Sequence, residues 1–289
     1  MPIAPSELIL NADGSIYHLN LKPEQLAHTV ITVGDPERVP AVSAFFDTIE
    51  HKVGKREFHA HTGYYRGKRM TVISTGIGTD NIDIVFNELD ALVNVDLETR
   101  EIKSKLTSLD IVRIGTSGSI QSTTPINSLL LSKRGIGLDS LAHWYKNVVE
   151  DSAFAKAFSK QAALPANFSR PYTISCNHNL AEPFVNAGFL QGNTVTNVGF
   201  YGPQSRSIRL TPSQVDLQSK LMEFDFNGEK ITNLEMETAG IYAMASLLGH
   251  RAISLNAILA NRATGEFAAH PDKTVAALIE KTLEVLASF

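Results

Sequence analysis

Along this chain, short β-branched and aliphatic runs alternate with stretches in which apolar positions return every three or four residues. Thr29 to Val33, Met70 to Ser74, Asp110 to Ile114, Ser128 to Ser132, Thr194 to Val198 and Ile253 to Leu259 read as strands. Val39, Val42 and Phe46 keep helical spacing, as do Ile82, Val85, Phe86 and Leu89, and later Val275, Leu278, Ile279, Leu283 and Leu286. The last set predicts a C-terminal helix docked on a sheet. Between Gly135 and Arg170 aromatic and polar residues mix, which predicts helices and loops there. The alternation is that of an α/β fold. With 289 residues and no repeat or low-complexity linker, one domain is expected.

Composition narrows the partners. The 26 Lys and Arg against 30 Asp and Glu give a formal charge of −4 without a basic stripe, which argues against a nucleic-acid surface. No run approaches the roughly 18 apolar residues of a membrane helix. Met1 to Glu7 lack the basic and apolar regions of a secretory signal, so a cytoplasmic location is expected. Cys176, the single cysteine, reads as a small core residue. A small-molecule ligand fits best.

Three strands run into glycine-containing segments that read as turns: Val33-Gly34-Asp35-Pro36, Ser74-Thr75-Gly76-Ile77-Gly78 and Ile114-Gly115-Thr116-Ser117-Gly118. At the carboxyl ends of strands such turns present backbone N–H groups to anions, although each alone also reads as a tight structural turn. None is a dinucleotide fingerprint or a P-loop. Asp35 is placed to cap the following helix and Pro36 to open it, which puts Arg38 in a first turn where the helix dipole disfavours a cation unless an anion sits nearby. Arg113 and Arg56 are further candidates for the same anion.

Glu235-Met236-Glu237 ends a predicted strand and precedes the helical run Thr238 to Leu248. Two carboxylates on one face could bind a diol with Met236 against the sugar; alternatively one glutamate caps the helix and Met236 is core. In Gly199-Phe200-Tyr201-Gly202-Pro203-Gln204-Ser205-Arg206, an extended backbone would turn Gln204 and Arg206 the same way behind Phe200. An amide that donates and accepts beside a donor-only guanidinium suits an imide edge such as uracil's; a glycine-proline surface turn is the other reading. His59 and His61 alternate without a further ligand in sequence reach and read as solvated strand residues rather than a metal site. Trp144 reads as a buried or interface aromatic.

Together these segments resemble the nucleoside phosphorylase family, and within it the branch that acts on uridine. Gly34-Asp35-Pro36-Glu37-Arg38 is similar to the family's phosphate-binding opening, and Arg113-Ile114-Gly115-Thr116-Ser117-Gly118-Ser119-Ile120-Gln121 to its central phosphate and ribose loop. Glu235-Met236-Glu237 matches its ribose signature, and Phe200, Gln204 and Arg206 its base-stacking ring and uracil clamp. Tyr17-His18-Leu19 and Lys55-Arg56-Glu57-Phe58 match segments lent to a neighbouring subunit. The resemblance implies a single domain over 1–289, with residues 1–16 as an N-terminal extension, built on a central mixed, distorted sheet flanked by helices. It implies a homo-oligomer, a hexamer built from dimers, with no organic cofactor and with inorganic phosphate as co-substrate. It also points to a monovalent cation at the dimer interface near Glu57 and Ser74. Thr79-Asp80-Asn81 and the region from Gly135 to Asn193 depart from the compact pattern.

On this resemblance Gly34, Arg38, Arg113, Thr116 and a partner's Arg56 hold phosphate. Met236, Glu237, Thr116 and a partner's His18 hold ribose, and Phe200, Gln204 and Arg206 hold the base. Arg206, Gln204 and Glu237 are the catalytic candidates in the splitting of uridine to uracil and ribose 1-phosphate. A purine-acting phosphorylase or nucleosidase of the same fold would place a Ser-Asp pair after the late strand, where this chain carries Asn261-Arg262. A non-catalytic nucleoside-binding protein is the remaining alternative.

Overall fold

In the computed structural model, which describes residues 2–289, strands and helices interleave as the apolar pattern predicts, although residues 48–74 and 95–137 hold successive strands with no α-helix between them. The strands are β1 (Thr29–Val33), β2 (Thr48–Lys55), β3 (Phe58–Tyr65), β4 (Lys68–Ser74), β5 (Val95–Asp96), β6 (Glu101–Ile102), β7 (Asp110–Ser119), β8 (Leu129–Gly137), β9 (Tyr172–Ser175), β10 (Leu190–Thr196), β11 (Ile231–Glu235), β12 (Arg251–Asn261) and β13 (Glu266–Phe267). The helices are α1 (Arg38–Ser43), α2 (Thr79–Asn94), α3 (Ser152–Gln161), α4 (His178–Asn186), α5 (Leu217–Glu223), α6 (Thr238–Leu248) and α7 (Pro271–Leu286).

The sheet is mixed and closes on itself. β7 pairs β12 in parallel, β12 pairs β8 antiparallel, β8 and β11 flank β10 in parallel, and β11 returns antiparallel to β7. These five strands make a barrel, which leaves their shared interior without a free edge. From β7 the sheet continues outward through β1, β4, β3 and β2. β1 is buried at every position, as expected of a strand covered on both faces. The main core gathers β1, β4, β7 and β12 with α2, α6 and α7, and a second cluster packs Phe154, Phe158 and Phe224 against β8, β10 and β11. Leu8, Ile16, Leu19 and Leu21 join the main core, so the N-terminal segment is packed rather than trailing.

Several sequence readings change. The segment after Ile114 is no turn: β7 runs on through Gly115, Thr116, Ser117 and Gly118 because β12 pairs with each of them. β10 ends at Thr196, short of Val198. α1 stops at Ser43, yet Phe46 still reaches the core. β2 escaped notice because it is an edge strand with no buried position, and its composition carries little apolar signal. Trp144 is 83% exposed, which overturns the buried alternative for it, whereas Cys176 is buried and its thiol is pushed up to about 11 by desolvation.

Backbone contact couples barrel and helix at Gly135 of β8. A Cβ there would sit 2.8 Å from Ala239 Cα and 3.0 Å from Ala239 N, in the first turn of α6. Gly135→Ala therefore has to push α6 outward, and overpacking of this kind costs about 1–3 kcal/mol. The expected outcome is a lower urea midpoint at unchanged m-value, measured by far-UV circular dichroism.

Candidate active site

A cavity of about 740 Å³ opens at the mouth of the barrel. Gly34, Arg38, Arg113, Thr116, Phe200, Gln204, Arg206, Met236 and Glu237 all line it, as does Glu57. Residues far apart in sequence thus meet, because β1, β7, β10 and β11 deliver their ends to one place. His18, Arg56 and Ser74 do not line the cavity of their own chain.

At its floor lies a buried ion cluster. Arg113 Nη2 stands 2.6 Å from Glu237 Oε2 and 3.2 Å from Glu235 Oε2, and Nη1 donates to Asn256 Oδ1 at 3.0 Å. Burial works against the charged guanidinium, but Glu235 and Glu237 override it and hold Arg113 above its ordinary value. Burial, and then Glu235 against the opposing pull of Arg113, raises the Glu237 carboxyl. Gly115 is required here for space: a Cβ would overlap the Arg113 guanidinium.

The two glutamates divide the alternatives between them. Glu235 Oε2 accepts from the N–H groups of Glu237 and Thr238, both at 2.9 Å, and Oε1 from the Thr196 hydroxyl at 2.6 Å. The Glu235 side chain therefore caps the start of α6, although Glu237 occupies the N-cap position itself. Glu237 faces the cavity, with Oε1 accepting from Gly78 N at 2.8 Å.

Arg38 lies beside this cluster in the first turn of α1. Asp35 does not cap that helix; its Oδ1 accepts from Glu37 N in a local turn, and the helix begins at Arg38 rather than Pro36. Desolvation, then repulsion from Arg113, lowers Arg38 from its ordinary value. Two guanidiniums are thus held close against their mutual repulsion, which Asp35 and Glu237 partly offset.

The opposite side carries Phe200, Gln204 and Arg206, with Leu259, Ala260 and Phe267 from β12 and β13. The segment is not extended. Gly202–Gln204 form one 3₁₀ turn, Ser205 is left-handed at φ 55°, and the turn rather than a strand face brings Arg206 back onto Gln204. Arg206 Nη1 donates to Gln204 Oε1 and to the Phe200 carbonyl, and its guanidinium lies 3.9 Å from the Phe200 ring centroid. Gln204 is buried, and its Nε2 has no hydrogen-bond partner among the described residues. Beneath it Arg262 donates to the Gln204 carbonyl at 2.7 Å. Desolvation and Arg206 bring Arg262 down to about 10.

His18 and Arg56 lie together on another surface. Lys55 Nζ donates to the Tyr17 carbonyl at 2.6 Å, Arg56 reaches over the Tyr17 ring, and His18 Nδ1 is 2.6 Å from Glu88 Oε1. His61 bonds Ser43 and His59 the Arg56 carbonyl; among the described residues no group of three or more His, Cys, Asp or Glu converges as a metal site would.

Sequence reading missed Asn256 and Phe267, and gave no separate role to Ser117 or Arg262. Asn256 carried the clearest signal, an amide in the middle of an apolar strand. The cluster also changes what an Arg113 variant reports. Arg113→Met leaves two facing buried carboxylates uncompensated, so a stability loss of about 3–5 kcal/mol is expected by chemical denaturation. Near-wild-type stability would contradict a structural duty for this arginine.

The sequence model of the phosphorylase superfamily matches residues 28–289. A uridine phosphorylase from Thermococcus kodakarensis is 30% identical over 96% of this chain and 88% of its own length. A DeoD-type purine nucleoside phosphorylase from Chromobacterium violaceum is 26% identical over 86% of this chain and 88% of its own. The crystal structure of a Trypanosoma brucei nucleoside phosphorylase with uridine phosphorylase activity superposes with a TM-score of 0.87 at 29% identity, covering 98% of this chain and 100% of that one. With a matching model over nearly its whole length and a cavity built from the same strand ends that the motifs occupy, this chain belongs to the phosphorylase superfamily.

Proposed function

We propose that this protein splits uridine with inorganic phosphate, releasing uracil and ribose 1-phosphate. The observation that carries the reading is the pairing of Gln204 and Arg206. A buried amide N–H without a partner beside a guanidinium offers donors, and Gln204 Oε1 an acceptor, to a base edge of carbonyl, N–H and carbonyl. The cavity's carboxylates, Asp35, Glu57, Glu235 and Glu237, belong to the loops and cluster around Arg38 and Arg113. Beside Gln204, the late strand contributes Leu259 and Ala260, and Asn261 is buried with its amide spent on the Gln121 and Thr124 carbonyls. An acid to protonate a purine leaving group is therefore lacking among the residues lining that side.

In this reading Arg38, with backbone N–H groups near Gly34 and Thr116, holds phosphate, and Arg113 adds charge from beneath. Glu237 and Met236 hold the ribose. As the glycosidic bond stretches, positive charge grows on the sugar between phosphate and Glu237, and negative charge on the base beside Arg206. Positioning and electrostatics supply the acceleration, and neither a covalent intermediate nor a general base is needed. Base binding has to move Arg206 off the Phe200 ring or use the ring's other face.

The reading includes an oligomer in which His18 and Arg56 complete a neighbour's cavity, since both are grouped on one surface and absent from their own. A monovalent cation between Glu57 and Ser74 does not fit within this chain. Ser74 is fully buried, its hydroxyl donates to the Glu57 carbonyl at 2.6 Å, and it accepts from His59 N at 2.8 Å.

The decisive assay follows base release from uridine, thymidine, inosine and adenosine, each with and without phosphate. Phosphate-dependent cleavage of uridine is expected, and a preference for inosine or adenosine would replace the uridine reading with a purine one. Charge-assisted hydrogen bonds contribute about 1.5–3 kcal/mol, so Arg38→Ala should lower kcat/KM for phosphate by about one to two orders of magnitude while leaving the ion cluster intact.

Mixing tests the shared site. Arg56→Ala and Arg38→Ala chains, each impaired at low phosphate, should recover activity there when refolded together, because one cavity in a mixed dimer carries neither lesion. A fully active monomer in light scattering under assay conditions would exclude this arrangement.

A further inference from the structure

A single carboxylate midway along α2 gathers the donors of the His18 segment. Glu88 Oε1 accepts from His18 Nδ1 at 2.6 Å and from His18 N at 3.1 Å, and Oε2 accepts from His18 N at 3.0 Å and Leu19 N at 2.8 Å. The other end of the same peptide group, the Tyr17 carbonyl, accepts from Lys55 Nζ at 2.6 Å. A cation holds one end of this peptide and an anion the other, so the backbone that carries the His18 ring is fixed by two charge-assisted bonds. Tyr17 and Phe58 then meet the ring edge to face, with centroids 4.8 Å and 6.3 Å away. Glu88 itself does not line the cavity of its own chain.

The bond to Nδ1 also decides where the ring carries its proton. An ionised carboxylate can only accept, so Nδ1 is the N–H and the neutral imidazole keeps its lone pair on Nε2. Nε2 has no hydrogen-bond partner among the described residues, and the His18 side chain is partly exposed. Its charged neighbours on this surface are donors: Lys55 and Arg56 both lie over the Tyr17 ring. Arg38 and Arg113, on the anion side of the cavity, only donate as well.

We propose that Glu88 is a positioning residue, which holds His18 as the Nδ1–H tautomer so that Nε2 accepts a hydrogen bond from a sugar hydroxyl in the neighbouring subunit's cavity. The inference rests on the reading in which His18 completes that cavity. A hydroxyl among guanidiniums finds donors for its lone pairs readily, whereas its proton needs an acceptor. The opposite tautomer would leave that proton unpaired. Fixing the ring during folding also removes the entropy of orienting it from the cost of binding.

Glu88→Gln separates tautomer from scaffold. The amide oxygen can keep both backbone N–H groups while the NH₂ faces Nδ1, which then has to accept, so the ring proton moves to Nε2. The first readout is solid-state nitrogen NMR of the full-length protein carrying isotope-labelled histidine, at about pH 8, above the ordinary histidine value of about 6.5. The His18 signal is identified by its loss in His18→Ala. The Nδ1–H tautomer is expected in wild type and the Nε2–H tautomer in Glu88→Gln. A wild-type ring protonated on Nε2, or on both nitrogens, overturns the proposal, as does an unchanged tautomer in Glu88→Gln.

The second readout is calorimetric binding, without phosphate, of uridine and of its 2′-, 3′- and 5′-deoxy forms. Glu88→Gln and His18→Ala are each expected to weaken uridine binding about fivefold, the net worth of one hydrogen bond. Both losses should vanish for the one deoxy form that lacks the partner hydroxyl. An equal Glu88→Gln loss with all the deoxy forms would mark a general disturbance and overturn the proposal. Weaker binding in His18→Ala with none in Glu88→Gln rejects the role of Glu88 and leaves the shared site standing, whereas unchanged binding in both rejects the shared site as well. Should Glu88→Gln fail to fold, the wild-type tautomer and His18→Ala decide. If wild type binds inosine or adenosine but not uridine, only the uridine reading falls, and the deoxy forms of that nucleoside replace those of uridine.

Discussion

A single buried guanidinium, that of Arg113 between Glu235 and Glu237, is the contact around which the site is organised. Desolvating three charges is expensive, and such a cluster is retained only where geometry and further hydrogen bonds compensate it. Here the compensation comes from the whole fold. Thr196 of β10, Asn256 of β12, the first N–H groups of α6 and Gly78 ahead of α2 all reach into it. Gly115 leaves the room, and Gly135 lets α6 approach the barrel closely enough for its N-terminus to take part.

Closure of the barrel makes that compensation available. An open sheet would leave polar groups on its inner face exposed to water or unpaired, whereas five mutually paired strands let inward Ser, Thr and Asn side chains find one another. The interior thereby trades apolar packing for a polar network in which Asn256, Ser132, Thr194 and Asn233 link Arg113 to Ser117. Fully satisfied networks of this kind rigidify the groups at their ends, which suits a site that works by positioning.

Charge is then distributed unevenly over one cavity. Arg38 and Arg113 repel one another on one side, a repulsion that a bound anion would relieve. On the other, Arg206 and Arg262 are half-buried, each lowered by desolvation, with no carboxylate in bonding contact among the described residues. Between them Glu237 supplies a buried carboxylate that faces the ligand space and, unlike Glu235, is not spent as a helix cap. A ligand that gains negative charge at both ends and positive charge in the middle matches this layout, which is how a phosphate, a sugar cation and a departing base are ordered.

Much of this was legible in the chain. Apolar patterning located α2 and α7 because each buries one regular face, and β1 and α6 because they are apolar runs buried nearly all round, and local motifs named nearly every residue that lines the cavity. Each motif by itself was also consistent with a bland turn or cap, since local chemistry does not say what lies opposite. The tertiary structure decided that Glu235 caps while Glu237 faces the ligand, that the glycines after Ile114 continue a strand, and that a 3₁₀ turn rather than an extended segment joins Gln204 to Arg206. It alone disclosed the polar network, whose members come from five strands spread over more than half the chain. Strand pairing and burial depend on residues distant in sequence, so local motifs name the residues of the cavity but not what each of them faces.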